Sequence, residues 1–347
     1  SREHPADDHL YLMPAAGGEL TRLTSAPGRH FGFLSPDGQR MAVVYGETVQ
    51  LPDLFLAEVR GGAESDWARV TVSGTDNYYR HRWVQPEIVS FPHKDGRPLW
   101  AALFKPEQPN PERAAVIHVH GGGYRQFAHR GWSVYGYSMH LGMINYLVQQ
   151  GYTVLDFDYR GSAGYGRDYR TDVYRSMGII DVDGAVTAVE WLVREHDIDP
   201  DRVGIYGISM GGFHTLMALF RYPGVFAAGV AVAAPTAWED DSEWPVPILN
   251  LPYEDPEAYR MASPIYYSHQ LEDPLLIVHG FLDDNVHFHD AVRLVQRLIE
   301  HEKEFEVMFY PVEEHEIATE ESRYDYSRRL TTFFERHLLG RRPSAGQ

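Results

Sequence analysis

The 347 residues carry 31 Lys and Arg against 49 Asp and Glu, a formal net charge of −18, with 44% hydrophobic residues and no cysteine. That apolar content is too high for a disordered chain, the acidity without a Lys/Arg run disfavours nucleic acid and anionic membrane surfaces as partners, and the missing thiols exclude disulfides, thiolate metal sites and a cysteine nucleophile. No apolar run approaches the ~20 residues of a membrane span. The absence of cysteine fits a reducing compartment, so a cytoplasmic location is the expectation, with a periplasmic or secreted one left open. Ser1 opens the sequence without Met or a signal-peptide pattern, and the natural start is expected upstream.

In chain order, the first stretch reads as short strands joined by polar turns. Leu10-Tyr11-Leu12 is followed by Ala16-Gly17-Gly18 and by Leu20 to Thr24; Ser35-Pro36-Asp37-Gly38 is a turn signal ahead of a strand at Met41 to Tyr45. Leu54-Phe55-Leu56, Gly61-Gly62 and Val70-Thr71-Val72 repeat the opening pattern at the period of a four-stranded propeller blade. Residues 1–85 are therefore expected to form the last one or two blades of a β-propeller whose remainder lies upstream.

From Val84 the grammar changes, and residues 86–347 are expected to form one α/β domain. Apolar strand candidates run at Ala115 to His120, Thr153 to Asp158, Arg202 to Gly207, Ala227 to Ala233, Leu275 to His279 and Glu306 to Tyr310. Helix-length segments lie between them at Tyr137 to Gln150, Val182 to His196, Met210 to Tyr222, His289 to Glu300 and Tyr324 to Leu339, with a frayed tail from Arg341 to Gln347. The alternation predicts a mostly parallel, doubly wound sheet with reactive groups at the C-terminal strand ends.

Gly207-Ile208-Ser209-Met210-Gly211-Gly212 sits between a strand and a helix. A G-x-S-x-G turn there exposes the Ser209 hydroxyl, and its partners follow in the order acid, then histidine. Asp283 and Asp284 end one later strand and His315 follows the next. His315 serves as base and one of the two aspartates orients it; spacing leaves open which. Asp156 and Asp158 precede the serine and are read as holding loops and helix caps. His118-Val119-His120-Gly121-Gly122-Gly123 resembles an HGGG oxyanion loop, so an N–H of Gly121 or Gly122 with that of Met210 is expected to hold the oxyanion. His287 and His289, two apart at a helix start, diverge and make a poor metal pair; no metal or cofactor is expected.

These motifs, with Asp158-Tyr159-Arg160-Gly161-Ser162-Ala163-Gly164-Tyr165-Gly166 and above all His279-Gly280-Phe281-Leu282-Asp283-Asp284-Asn285-Val286-His287-Phe288, resemble the prolyl oligopeptidase family of serine peptidases and most of all its dipeptidyl-peptidase IV branch, with acylaminoacyl-peptidase-like members also in view. The resemblance implies an α/β-hydrolase fold behind a propeller, Asp283 as the catalytic acid, and Asn285 as a group binding the substrate's main-chain carbonyl. The family's loop often carries Tyr where this chain has His120, which makes His120 a candidate helper of the oxyanion N–H groups. Where that branch walls its proline pocket with tyrosines, this chain has Trp238, Trp244 and four acids between Glu239 and Glu243, so Trp238 is a candidate substrate contact and a basic residue at the cleavage site becomes an option. The expectation is a Ser209-Asp283-His315 serine peptidase acting on short peptides through an acyl-enzyme. A carboxylesterase and an inactive hydrolase-like binding module are the alternatives. Expected partners are a peptide substrate, the upstream propeller portion of the same protein and, with that portion missing, a second copy of the chain.

Overall fold

The computed structural model describes residues 2–59, 64–132, 138–240 and 244–341. The Gly61-Gly62 turn, the predicted helix start at Tyr137, Asp241 and Glu243 of the acidic stretch and most of the predicted tail lie outside the described residues.

The chain separates into two compact units, residues 1–88 with 128–145 and residues 89–127 with 146–347. The first unit thus takes 128–145, which the sequence reading assigned to the second. Its strands are β1 (Tyr11–Leu12), β2 (Thr21–Arg22), β3 (Arg29–Leu34), β4 (Arg40–Glu47), β5 (Gln50–Glu58) and β6 (Ala68–Arg69), followed by helix α1 (Asp76–Arg80). β3 to β6 form an antiparallel four-stranded meander, while β1 and β2 pair separately. The repeated Leu-x-Leu runs therefore do not occupy equivalent strands: one is in the β1–β2 ribbon and the other is in the interior strand β5. Val70 to Val72 fall beyond β6, and the strand at β3 carries too many polar and glycine residues to read as one in isolation. Alternation on β4 and β5 turns Met41, Val43 and Ala57 into a small core with Leu10, Leu12 and Trp67.

In the second unit the strands are β7 (Glu87–Pro92, beginning at the unit boundary), β8 (Pro98–Phe104), β9 (Ala115–Val119), β10 (Thr153–Asp158), β11 (Val203–Ile208), β12 (Ala228–Val232), β13 (Leu275–Gly280) and β14 (Glu306–Tyr310). The helices are α2 (Ser138–Gln149, which begins in the first unit), α3 (Arg167–Thr171), α4 (Ile180–His196), α5 (Met210–Arg221), α6 (Val246–Leu249), α7 (Pro256–Ala262), α8 (His289–Glu300) and α9 (Glu320–Leu338). The sheet runs β14-β13-β12-β11-β9-β10-β8-β7; β9 to β14 are parallel and β8 is antiparallel to β10. β9, β10, β11 and β13 are buried along their whole length, as strands covered on both faces must be. This is the α/β-hydrolase arrangement. After β9 the chain steps one way to β10 and then back across β9 to β11, so strand order reverses at the ends of β9 and β11. In an open parallel sheet that switch point is where a ligand crevice forms.

α5 is buried from Met210 to Phe220, with His214 and Thr215 as the hydrogen-bonded polar residues among apolar ones. α8 is amphipathic, burying Ala291, Leu294 and Leu298 at helical spacing. No helix among the described residues is long and apolar enough to cross a membrane.

Candidate active site

Ser209 joins the end of β11 to the start of α5 with φ 58° and ψ −122°, a conformation that L-residues avoid and that persists only where the surroundings impose it. The Ser209 N–H donates to Val232 O at 2.8 Å, tying the turn to β12. Gly211 is required by the turn's tightness: a Cβ there would lie 2.0 Å from Val119 O. The Met210 N–H is the first of α5, one of the helix-start donors without an intrahelical acceptor, at the positive end of the helix dipole.

Two further loops leave the same edge of the sheet, from the adjacent strands β13 and β14. Gly280 ends β13 where a Cβ would stand 2.4 Å from the carbonyl oxygens of both Glu313 and Glu314, so glycine lets the two loops touch. Buried Glu313 accepts from Ala318 N at 2.7 Å and from the Thr319 hydroxyl, which closes the second loop around His315. Across this contact His315 Nδ1 lies 2.8 Å from Asp283 Oδ2. A carboxylate oxygen only accepts, so the proton is on Nδ1 and the Nε2 lone pair is left to act as a base. It is Asp283 whose carboxylate meets His315; Asp284 is exposed.

Asp283 is buried and receives more than His315. Asn285 N and Val286 N donate to Oδ1 at 3.0 and 2.9 Å, and His279 Nε2 lies 3.1 Å from Oδ2 and 2.9 Å from Val286 O, donating to both acceptors. Burial alone would raise the Asp283 pKa, but the hydrogen bonds from His279, His315 and the Val286 N–H outweigh it and hold the carboxyl well below the usual range. His279 is a positioning residue that sequence reasoning missed, although it sits at the head of the most specific motif. Its signal is only its place on the strand that delivers Asp283, so that its side chain falls beside it.

The remaining predicted residues divide. Gly121 and Gly122 lie just past β9, beside the β11 turn. Asn285 is exposed at the Asp283 turn, its side chain open to a ligand. His120 and Trp238 are corrected. His120 is fully buried between the rings of Phe127 and Tyr159, so it does not itself reach an oxyanion. Trp238 is buried against Phe213 in the core; the tryptophan with an exposed face is Trp244, stacked on it at 5.6 Å. Two acids of the following stretch are also engaged, Glu239 by Ser263 and Tyr266 and Asp240 by Arg293, which weakens the argument for a cationic substrate.

Asp156 and Asp158 serve the sheet beneath the site. Asp158 caps loops as expected, accepting from Phe127 N at 2.8 Å and Tyr165 Oη at 2.6 Å. Asp156 instead lies in register with His118 on β9, at 2.8 Å from its Nδ1. Burial, reinforced by the Asp158 charge, pushes the Asp156 carboxyl up to about 8, while burial and the neighbouring His120 pull His118 down to about 3. Both shifts favour the neutral forms, with Asp156 holding the proton and donating it to His118. A carboxyl raised in this way stabilises the fold through the proton it holds; that contribution is complete below the unfolded value near ~3.9 and fades as pH climbs towards 8. Asp156→Asn keeps a donor but cannot ionise, so its melting temperature relative to the wild type is expected to rise between pH 5 and 8.5. A pH-independent difference in thermal scans would contradict this assignment.

Comparison with known proteins identifies the family. The profile of the prolyl oligopeptidase family matches residues 137–341, more than half of the chain. Mouse dipeptidyl peptidase 8 is 29% identical over 98% of this chain and 39% of its own length, and mouse prolyl endopeptidase FAP is 28% identical over 72% and 33%. The crystal structure of Porphyromonas gingivalis dipeptidyl peptidase 4 superposes with a TM-score of 0.85 at 26% identity, covering 96% of this chain and 47% of that one. The chain thus spans less than half the length of these relatives. On the family profile and these similarities, the chain belongs to the prolyl oligopeptidase family of serine peptidases and is similar to its dipeptidyl-peptidase branch.

Proposed function

We propose that the second unit is a peptidase whose nucleophile is Ser209, with His315 as general base and Asp283 as its orienting acid. The observation that carries this reading is the Asp283–His315 pair, set on neighbouring strand ends of the sheet whose β11 delivers a strained serine. His315 Nε2 takes the Ser209 proton as Oγ attacks the scissile carbonyl, then returns it to the leaving amine; water repeats the cycle on the acyl-enzyme. Asp283 stays ionised and stabilises the imidazolium. N–H groups of Met210 and the Gly121–Gly122 loop take up the oxyanion, and Asn285 binds a substrate main-chain carbonyl. Short peptides are the proposed substrates, in keeping with the names of the relatives.

A carboxylesterase is the second reading, favoured by the run His120 to Gly123. Turnover of dipeptidyl and acylated aminoacyl anilides separates the two: hydrolysis of either anilide supports the peptidase, and hydrolysis of p-nitrophenyl esters alone supports the esterase. The β3–β6 meander is read as a propeller blade. Its exposed Phe31, Phe33 and Leu56 support that reading, because a neighbouring blade from the same protein, or failing that a second copy, would cover them.

A further inference from the structure

We propose that Tyr159 is a positioning residue for the oxyanion site, acting from within the core on the loop after β9; the inference rests on the serine-hydrolase reading above. Four rings pack in a column under that loop, Phe127, His120 and Tyr159 stacked and His214 tilted against Tyr159. His120 lies 4.7 Å from Phe127 and 4.4 Å from Tyr159, and Tyr159 lies 4.0 Å from His214. Polar contacts fix two of its rings, His120 within the column and His214 at one end. His120 Nε2 meets Ser162 Oγ at 2.9 Å, while His214 binds Asp181 on α4 at 2.9 Å and Met210 O, at the start of α5, at 2.7 Å. The column therefore joins the glycine loop to the helix that begins beside the nucleophile.

Two polar atoms of the column reach the loop's carbonyls. His120 Nδ1 donates to Gly121 O at 3.1 Å, and the Tyr159 hydroxyl donates to Gly122 O at 2.9 Å. A peptide unit is planar and trans, so its C=O and the next residue's N–H point in opposite directions. Holding the carbonyls of Gly121 and Gly122 towards buried rings turns the N–H groups of Gly122 and Gly123 the other way, out of the core. Gly122 has φ 62°, the left-handed conformation with which successive N–H groups form an anion-binding concavity. Gly123 N–H thus joins the candidate oxyanion donors, and Tyr159 fixes its direction.

Tyr159→Phe keeps the ring and its stacking and removes only the hydroxyl. Losing an oxyanion donor costs about 10²- to 10³-fold in kcat, and misdirecting one is expected to cost part of that, roughly tenfold or more. The expected result on a p-nitrophenyl ester is that fall in kcat with KM within twofold, and a parallel loss of affinity for a peptide boronate, whose tetrahedral adduct presents the oxyanion. Ser162→Ala, which removes one of the two partners of His120 Nε2 and leaves Asp158 Oδ1 at 3.3 Å, should shift kcat and boronate affinity in the same direction by a smaller factor; it remains a test if Tyr159→Phe does not fold. A kcat and boronate affinity within twofold of an active wild type in the folded variants would overturn the role of Tyr159 while leaving the hydrolase reading intact. A wild type that neither turns over ester nor binds boronate would overturn both.

Discussion

Asp283→Asn is expected to lower kcat by about 10⁴-fold while leaving the fold and KM nearly intact. The carboxylate is the centre of four donors, from His315, His279, Asn285 and Val286. An amide is nearly isosteric but presents an NH₂ where one of these acceptor oxygens was. If the amide nitrogen faces His315, Nδ1 must accept and the ring carries its proton on Nε2, the tautomer that cannot take the Ser209 proton. The same change in an unrelated serine protease costs a factor of that size through the wrong tautomer. If instead the amide oxygen faces His315, the NH₂ collides with the N–H groups of Asn285 and Val286, and the charge that stabilises the imidazolium is still gone. Steady-state hydrolysis of a p-nitrophenyl ester checks the prediction, and a loss below about tenfold would remove Asp283 from the mechanism.

Gly211→Ala should damage both stability and rate. The added methyl carbon would stand 2.0 Å from Val119 O, a backbone atom in the middle of the sheet, so neither side can yield by a rotamer change. Relief requires α5 to move away from β9, which separates the Ser209 turn and the Met210 N–H from the glycine loop. Overpacking of this kind costs about 1–3 kcal/mol, and a displacement of about 1 Å costs about 10²-fold in rate. Thermal melting and ester turnover measured together check it; unchanged turnover would mean that the turn is not part of the site.

Much of this was legible in the sequence because the sheet's parallel strands are buried on both faces and read as apolar runs, and because the turn at Ser209 needs glycines at fixed offsets. The Asp283–His315 pair could be anticipated by chain order. The choice of Asp283 over Asp284 could not come from spacing, since both lie in one turn and only the hydrogen bonds to Asn285 and Val286 fix which of them faces inward. β7 and β8 are not apparent in the sequence although Asp95-Gly96 between them is a hairpin signal, because they form the antiparallel edge of the sheet and β7, only partly buried, lacks the continuous apolar run of the parallel strands. α9 begins at Glu320, earlier than expected, with Glu320 and Glu321 in its first turn complementing the helix dipole. The buried partners were invisible for a different reason. His118 faces Asp156, and His120 stacks on Tyr159, only once β9 and β10 are neighbours in a known register. Strand order is a tertiary property that one sequence does not display, and that is why His120 read as a substrate-facing residue and Trp238 as a pocket wall.

The central claim is that Ser209 is an activated nucleophile in this chain, and fluorophosphonate labelling tests it most directly. The account predicts one label per folded chain, located on Ser209 by peptide mapping and absent from Ser209→Ala. A folded chain that takes up no label, or a Ser209→Ala variant labelled as strongly as the wild type, would contradict it.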